Sequence, residues 1–175
     1  MKKIFLNTKY LIIIFTVLLS SVFKVFPQTE DKPVEHEFWL NAQAGASLGD
    51  QYLNVMASSL DVSYQIDGHW FSGVRGYLGG SNFKKNGSGT TIEDLGCMVG
   101  WFSQEKDFKL FTLAGVSYIH AQYFGKDYFY TVGVPFEAGV FYSPHQVGFG
   151  VSVHGNINGK IKYYGVTVGL IVRFY

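Results

Sequence analysis

Isolated charges and one histidine lie in segments that are otherwise built from apolar or small residues: Asp61, Arg75, Glu137, Arg173 and His154. Asp61 and Arg75 flank a turn at 67–69. A three-residue turn there pairs Ile66 with Trp70 and places Asp61 directly opposite Arg75. Opposite charges across a strand pair attract each other, and an enclosed charge without a partner is costly. These residues predict either a structural charge network, which Glu137 and Arg173 also join, or a gate for protons or ions.

A second group has the residue types of a hydrolase. Ser152 and His154 alternate on one strand face, and a four-residue connection at 143–146 places Glu137 opposite Ser152. Serine, histidine and a carboxylate together can activate a nucleophile. However, all three are predicted to face an enclosed interior, whereas a lipid-cleaving site must open toward the membrane. We therefore expect no catalytic residues.

Nothing in the sequence predicts a metal, a cofactor or a nucleic acid partner. The five histidines (His36, His69, His120, His145 and His154) lack metal-ligand spacing, and the single cysteine, Cys97, excludes an internal disulfide. The glycine-containing loop 80–91 precedes a strand rather than a helix, which argues against phosphate binding. A net charge of +1 leaves no basic surface for nucleic acid. Cys97 is interpreted as a small apolar residue of the outer face.

The elements that position these residues follow a period of two, which is typical of β-strands. The pattern predicts eight strands, at about 37–48, 55–66, 70–79, 92–102, 108–121, 130–142, 147–155 and 163–175. In each, one face is apolar and the other carries mostly Gly, Ser, Asn and Gln. The facing of the fifth strand is ambiguous. We favour Leu110, Ala114, Val116 and Tyr118 as its apolar side.

Alternation alone fits a soluble sandwich, a lipocalin-like barrel or a membrane barrel. Only 15% of the residues are charged and 18% are aromatic, and most charges lie in the connections. A face of small polar residues suits a narrow enclosed lumen, so the apolar face is predicted to contact lipid. The sheet must then close into a barrel, because an open edge would leave backbone groups unpaired in lipid. Aromatic residues are predicted to form two rims. The rims comprise Phe38, Trp70, Trp101, Phe108, Tyr142, Phe174 and Tyr175 at one end, and Tyr118, Tyr123, Phe124, Tyr128, Phe129, Tyr130, Tyr163 and Tyr164 at the other.

The N-terminus is predicted to be a targeting segment rather than part of the fold. Lys2, Lys3 and Lys9 precede an apolar run that is too short to span a membrane as a helix. We interpret 1–27 as a cleaved signal peptide, with an uncleaved anchor as the alternative. A short periplasmic tail at 28–36 then leads into an outer-membrane β-barrel at 37–175. Short connections (67–69, 103–107, 143–146) alternate with mostly longer ones (49–54, 80–91, 121–129, 156–162).

The last third of the chain carries a resemblance to a known group. The tract 132–139, the Gly-Phe-Gly at 148–150, the Gly-Asn-Ile-Asn at 155–158 and the final 169–175 resemble small outer-membrane barrels of Bacteroidota, in the OmpA/OmpX-like eight-stranded group. The resemblance implies a location in the outer membrane of a Gram-negative bacterium, with both termini in the periplasm. It also implies that Val172, Phe174 and Tyr175 form the C-terminal signal read by the barrel-assembly machinery.

The sequence thus predicts an all-β, eight-stranded antiparallel transmembrane barrel with a structural or surface-interaction role. The expected partners are outer-membrane lipid and lipopolysaccharide, besides the assembly machinery during biogenesis, and the expected state is a monomer. Two alternatives stay open: a lipid A-modifying acyl hydrolase or transferase, and a narrow pore.

Overall fold

A computed structural model describes residues 36–49, 52–81, 89–103, 107–122 and 127–174. The predicted signal peptide, most of the tail at 28–36, and Tyr175 lie outside these ranges. Eight strands account for nearly all of the described residues: β1 (Phe38–Gly49), β2 (Tyr52–Asp67), β3 (Trp70–Ser81), β4 (Thr90–Phe102), β5 (Phe108–Gln122), β6 (Phe129–Tyr142), β7 (Val147–Ile157) and β8 (Tyr163–Phe174). In the described part of the chain, no helix is long and apolar enough to cross a membrane.

The strands form one closed antiparallel barrel in sequence order, as the alternation predicts. β1 pairs with β8 from Phe38 opposite Phe174 to Gly49 opposite Tyr163, so the sheet has its first and last strands joined. Strand pairing can be followed from Trp39 on β1 through each neighbouring strand and back to β1. It returns at Gly49, so the barrel has a stagger of ten residues. For eight strands, such a stagger means that the strands tilt steeply against the barrel axis.

The outer wall is an almost uncharged apolar surface. Leu60, Val116 and Leu170 are 53%, 62% and 61% exposed, and their neighbours on the same face are exposed Val, Leu, Ala and Phe residues. The predicted facing of β5 is confirmed, because Leu110, Ala114 and Val116 are exposed while Phe111 is buried. A water-soluble domain rarely exposes a continuous apolar surface of this kind.

Aromatic side chains border this surface at both ends. At the end where β1 begins and β8 ends, here called the terminal end, the Phe38 ring lies 5.8 Å from Phe174, and Phe108 lies 4.7 Å from Tyr142. At the opposite end, the loop end, rings of Tyr118, His120, Tyr128 and Tyr130 stack on one another. Tyr163 was predicted to belong to this rim, and that prediction is wrong: its side chain is inside the barrel and 1% exposed.

Two connections in the first half of the barrel differ from the prediction. The segment 49–54 was expected to be a long loop, but β2 already begins at Tyr52, and Gly49 pairs with it. At the β2–β3 turn, Asp67 rather than Ile66 pairs with Trp70, around a two-residue turn with Gly68 at φ +44°. The extra residue in β2 is a bulge between Gln65 and Asp67, and it restores the predicted register further along the strands.

Candidate functional site

The interior of the barrel consists of three layers of side chains. An aromatic layer closes the terminal end and comprises Trp39, Phe71, Phe102, Phe111, Phe141 and Ile171. A loop-end apolar layer closes the other end and comprises Ala57, Tyr77, Ile92, Ile119, Ala121, Ile161 and Tyr163. Between them lies a charged layer, which contains Asp61, Arg75, Asp94 and Glu137, all at most 9% exposed. The polar groups that could do chemistry are therefore enclosed from both ends.

Arg75 is the centre of the charged layer. Its Nη1 lies 3.5 Å from Oε2 of Glu137, and its Nη2 lies 3.9 Å from Oδ2 of Asp94. The predicted register is confirmed, because Asp61 is the direct cross-strand partner of Arg75. The expected ion pair between them is nevertheless replaced, because the guanidinium points to the carboxylates of β4 and β6 instead. One guanidinium thus lies within 4.0 Å of two carboxylates that come from two different strands, β4 and β6.

Asp94 was absent from the predicted network, although it is one of its best-connected members. Its Oδ2 accepts hydrogen bonds from Nδ2 of Asn156, at 2.8 Å, and from the hydroxyl of Tyr163. The alternation of β4 already placed Asp94 on the face of Gly96 and Met98, and this was the available signal. The alternation of β8 likewise places Tyr163 on the lumen face of Thr167, and only its position at the strand end led to its assignment to the rim.

Gln43 connects the charged layer to β7 and β8. Its amide nitrogen donates to Oε1 of Glu137 at 2.7 Å and to Oδ2 of Asp61 at 3.4 Å. Its carbonyl oxygen accepts from the hydroxyls of Ser152, at 2.9 Å, and Thr167. A single neutral side chain on β1 therefore holds groups from four other strands in place, which favours a structural role for the layer.

Glu137 pairs with His154, and Ser152 with Gly139, so the predicted opposition of Glu137 and Ser152 is wrong by two residues. The cause is the β6–β7 connection. Tyr142 pairs with Phe149 rather than with the first residue of β7, because the intervening segment folds onto Arg173. The guanidinium of Arg173 donates to the carbonyl oxygens of Ser143 and His145 at 2.5 and 2.9 Å.

Arg173 therefore belongs to a separate cluster at the terminal end, beyond the aromatic layer, and not to the network of Arg75. Glu37 is the acid of this cluster: its carboxylate lies 3.8 Å from Nη1 of Arg173 and 3.1 Å from Nζ of Lys109. It also accepts a hydrogen bond of 2.7 Å from the indole of Trp39. Neither Glu37 nor Lys109 was among the predicted site residues. The facing of β5, once settled, puts Lys109 on the inner side.

Ser152 and His154, the candidate hydrolase residues, form hydrogen bonds with other side chains rather than with each other. Ser152 donates to Gln43 and lies 2.8 Å from Thr167, while His154 contacts Ser47 through Nε2 at 2.8 Å. The hydroxyl of Tyr77 donates to Ser47, which leaves the Ser47 hydrogen free to donate to His154. Ser47, Ser152 and His154 are buried, and each of them has a hydrogen-bond partner among the side chains of the interior.

The remaining predicted residues lie at the rims or on the wall. His120 is 2.8 Å from Glu93 on the outside, and His69 bonds the carbonyl of Phe102 at a turn. Cys97 is exposed on the outer wall, as interpreted from the sequence. Of the residues predicted to form an assembly signal, Phe174 is exposed and Val172 is half-buried. Within the described residues, no group of three or more His, Cys, Asp or Glu is arranged to hold a metal ion.

A closed eight-stranded antiparallel barrel with an apolar outer wall and an interior filled by side chains is the fold of small outer-membrane barrel proteins. Comparison with solved structures agrees. The barrel is similar to Neisserial surface protein A (TM-score 0.64, 14% identity), with 79% of this chain and 97% of that chain covered. It is also similar to the attachment invasion locus protein Ail of Yersinia pestis (TM-score 0.57, 15% identity, 79% and 97% covered).

A third similar structure is the outer membrane enzyme PagL, with a TM-score of 0.52, 15% identity, and 77% of this chain and 98% of that chain covered. These identities are too low for the likeness to extend beyond the fold. No protein-family profile and no curated protein sequence matches this chain.

Proposed function

We propose that this chain is an integral outer-membrane protein of a Gram-negative bacterium, with both termini in the periplasm. The observation that carries the proposal is the exposed apolar wall of a closed barrel, bordered by aromatic side chains at both ends. Such a wall is stable when lipid covers it, and closure pairs the backbone groups that an open sheet would leave exposed to hydrocarbon. The low-identity structural likeness to outer-membrane barrels supports the same location.

The role we propose is structural or interactive, without catalysis. It is supported by the interior, where the polar groups bond mainly to one another between two apolar layers. Lipids and macromolecules would then contact only the wall and the rims. The wall would meet outer-membrane lipid and lipopolysaccharide, and the barrel-assembly machinery would read Val172, Phe174 and Tyr175 during biogenesis. We propose that the barrel acts as a monomer.

Location in the membrane can be tested by heat-modifiable migration. We expect the protein to be found in the outer-membrane fraction and to run faster on an SDS gel when it is not boiled, because a closed barrel keeps its compact shape in SDS. Boiling should abolish the difference. Recovery of folded protein from a detergent-free soluble fraction would contradict the proposal, since the apolar wall would then require another cover.

The pore alternative makes a different prediction. We expect no stable conductance steps from the purified protein in planar bilayers, because the aromatic layer and the loop-end apolar layer both block the lumen. A porin with a water-filled lumen, reconstituted in the same bilayers, is the positive control. Reproducible single-channel steps that scale with salt concentration would favour the pore.

The alternative of a lipid A-modifying enzyme rests on the residue types of Ser152, His154 and Glu137, since the likeness to the outer membrane enzyme PagL extends to the fold alone. It requires a nucleophile that lipid can reach, and Ser47 and Ser152 are enclosed in the lumen. Incubation of the purified protein with lipid A, followed by mass spectrometry, tests it. We expect no loss or transfer of acyl chains.

A further inference from the structure

Asp61 is the least compensated charge in the charged layer. Its two hydrogen bonds, from Gln43 and Ser59, are both long at 3.4 Å and both reach Oδ2. Its Oδ1 is buried and has no hydrogen-bond partner among the described residues. Arg75, its direct cross-strand neighbour, is directed to Glu137 and Asp94 instead. A buried carboxylate oxygen without a partner is costly, which calls for a positive group beside Asp61.

The space for such a group is present. A cavity of about 30 Å³ lies between the charged layer and the aromatic layer, and Asp61 lines it. On the polar side it is also lined by Asn41, Ser63, Arg75 and Glu137, and on the other side by aromatic rings that include Trp39 and Phe71. This volume accommodates a small ion with a water molecule, but no organic ligand of ordinary size.

The charged layer also contains more carboxylates than cationic side chains, which favours binding of a cation. The layer contains three carboxylates, those of Asp61, Asp94 and Glu137, and one guanidinium, that of Arg75. The other two buried cations of the described interior, Lys109 and Arg173, lie beyond the aromatic layer with Glu37. In an enclosed medium of low polarity, an excess of negative charge is strongly unfavourable.

We propose that this cavity binds one monovalent metal cation, Na⁺ or K⁺, at Oδ1 of Asp61. The carboxamide oxygen of Asn41 and the hydroxyl of Ser63 supply neutral oxygen ligands of the kind that hard cations prefer. The faces of the aromatic layer are favourable neighbours for a cation. A divalent ion fits less well, because Arg75 lines the same cavity and repels the higher charge. The site is independent of whether the wall faces a membrane.

The test is the salt dependence of unfolding of the full barrel in detergent. Midpoints of thermal unfolding are measured in NaCl, KCl and N-methylglucamine chloride at equal ionic strength, because the organic cation is too large for the cavity. We expect the wild type to unfold on the order of 4–8 °C higher in NaCl or KCl, since an ion that binds only the folded state stabilises it. In Asp61→Asn this difference should vanish.

The matched control is Asp127→Asn, which removes an exposed carboxylate and should keep the full salt difference. Should Asp61→Asn fail to fold, Ser63→Ala removes one neutral ligand and is expected to reduce the salt difference. Equal midpoints of the wild type in all three salts would overturn the proposal and leave a protonated carboxyl group or water alone in the cavity. A salt difference that persists undiminished in Asp61→Asn would place the ion elsewhere and overturn it too.

Discussion

Arg75→Ala is expected to lower the free energy of unfolding by about 3–5 kcal/mol, the usual cost of removing one partner from a buried ion pair. The guanidinium is 2% exposed and is within 4.0 Å of two carboxylates that have no other cationic side chain beside them in the described structure. Its removal leaves both of these charges buried and uncompensated. Urea unfolding of the refolded barrel, followed by tryptophan fluorescence, measures the loss.

Two further variants separate this mechanism from a simple loss of packing. Adding Glu137→Gln to Arg75→Ala removes one of the orphaned carboxylates and should recover part of the lost stability. Lys162→Ala removes an exposed cation and is expected to change the free energy of unfolding by less than about 0.5 kcal/mol. If the urea midpoint of Arg75→Ala equals that of the wild type, the charged layer does not depend on this residue.

Gly115→Ala is expected to destabilise the barrel by about 3 kcal/mol or more, because overpacking at a rigid contact forces the backbone to move. A Cβ atom on Gly115 would lie 1.9 Å from the carbonyl oxygen of Cys97 on β4, and a backbone atom cannot rotate away as a side chain can. We expect a lower yield of refolded protein and a lower urea midpoint.

Gly76→Ala is the matched control for this substitution. Gly76 is also in the middle of a strand, but the nearest atom to its added Cβ is the carbonyl oxygen of Leu60 at 3.9 Å, an ordinary contact. Its stability should stay within about 0.5 kcal/mol of the wild type, or rise slightly as the unfolded chain loses freedom. Equal effects of the two substitutions would mean that the close approach of β4 and β5 is not rigid.

The period of two was sufficient to predict the strands and their faces. In a barrel, the side chains of one strand alternate strictly between lumen and exterior, so the position of Asp61, Arg75 or Glu137 on its strand decides its side. The β2–β3 turn is one residue shorter than predicted, but the bulge at Ile66 adds one residue to β2. Asp61 therefore still pairs with Arg75, as predicted. Sequence therefore supplied which residues enter the lumen.

The sequence did not predict which of these lumen side chains contact one another. Arg75 reaches Glu137 across the lumen, a contact that depends on the stagger of the closed barrel and not on any neighbouring pair of strands. The β6–β7 register depends on how Ser143 folds toward Arg173, and counting residues in a turn cannot show this. Tyr163 was assigned to a rim from its place at a strand end, although the space beside Asp94 admits it to the interior.

The origin of the aromatic layer has a consequence for folding. Its side chains come from six strands, β1, β3, β4, β5, β6 and β8. Phe71 contacts Phe102 and Phe111 contacts Phe141 within single hairpins, but the complete layer forms only when all six strands are in place. The hydrogen bond from Thr167 on β8 to Gln43 on β1 likewise forms only after these two strands have paired. The barrel should therefore fold and unfold as one cooperative unit, without a stable, partly folded intermediate. Closure of the barrel between β1 and β8, rather than the formation of successive hairpins, is then the step that produces the stable fold.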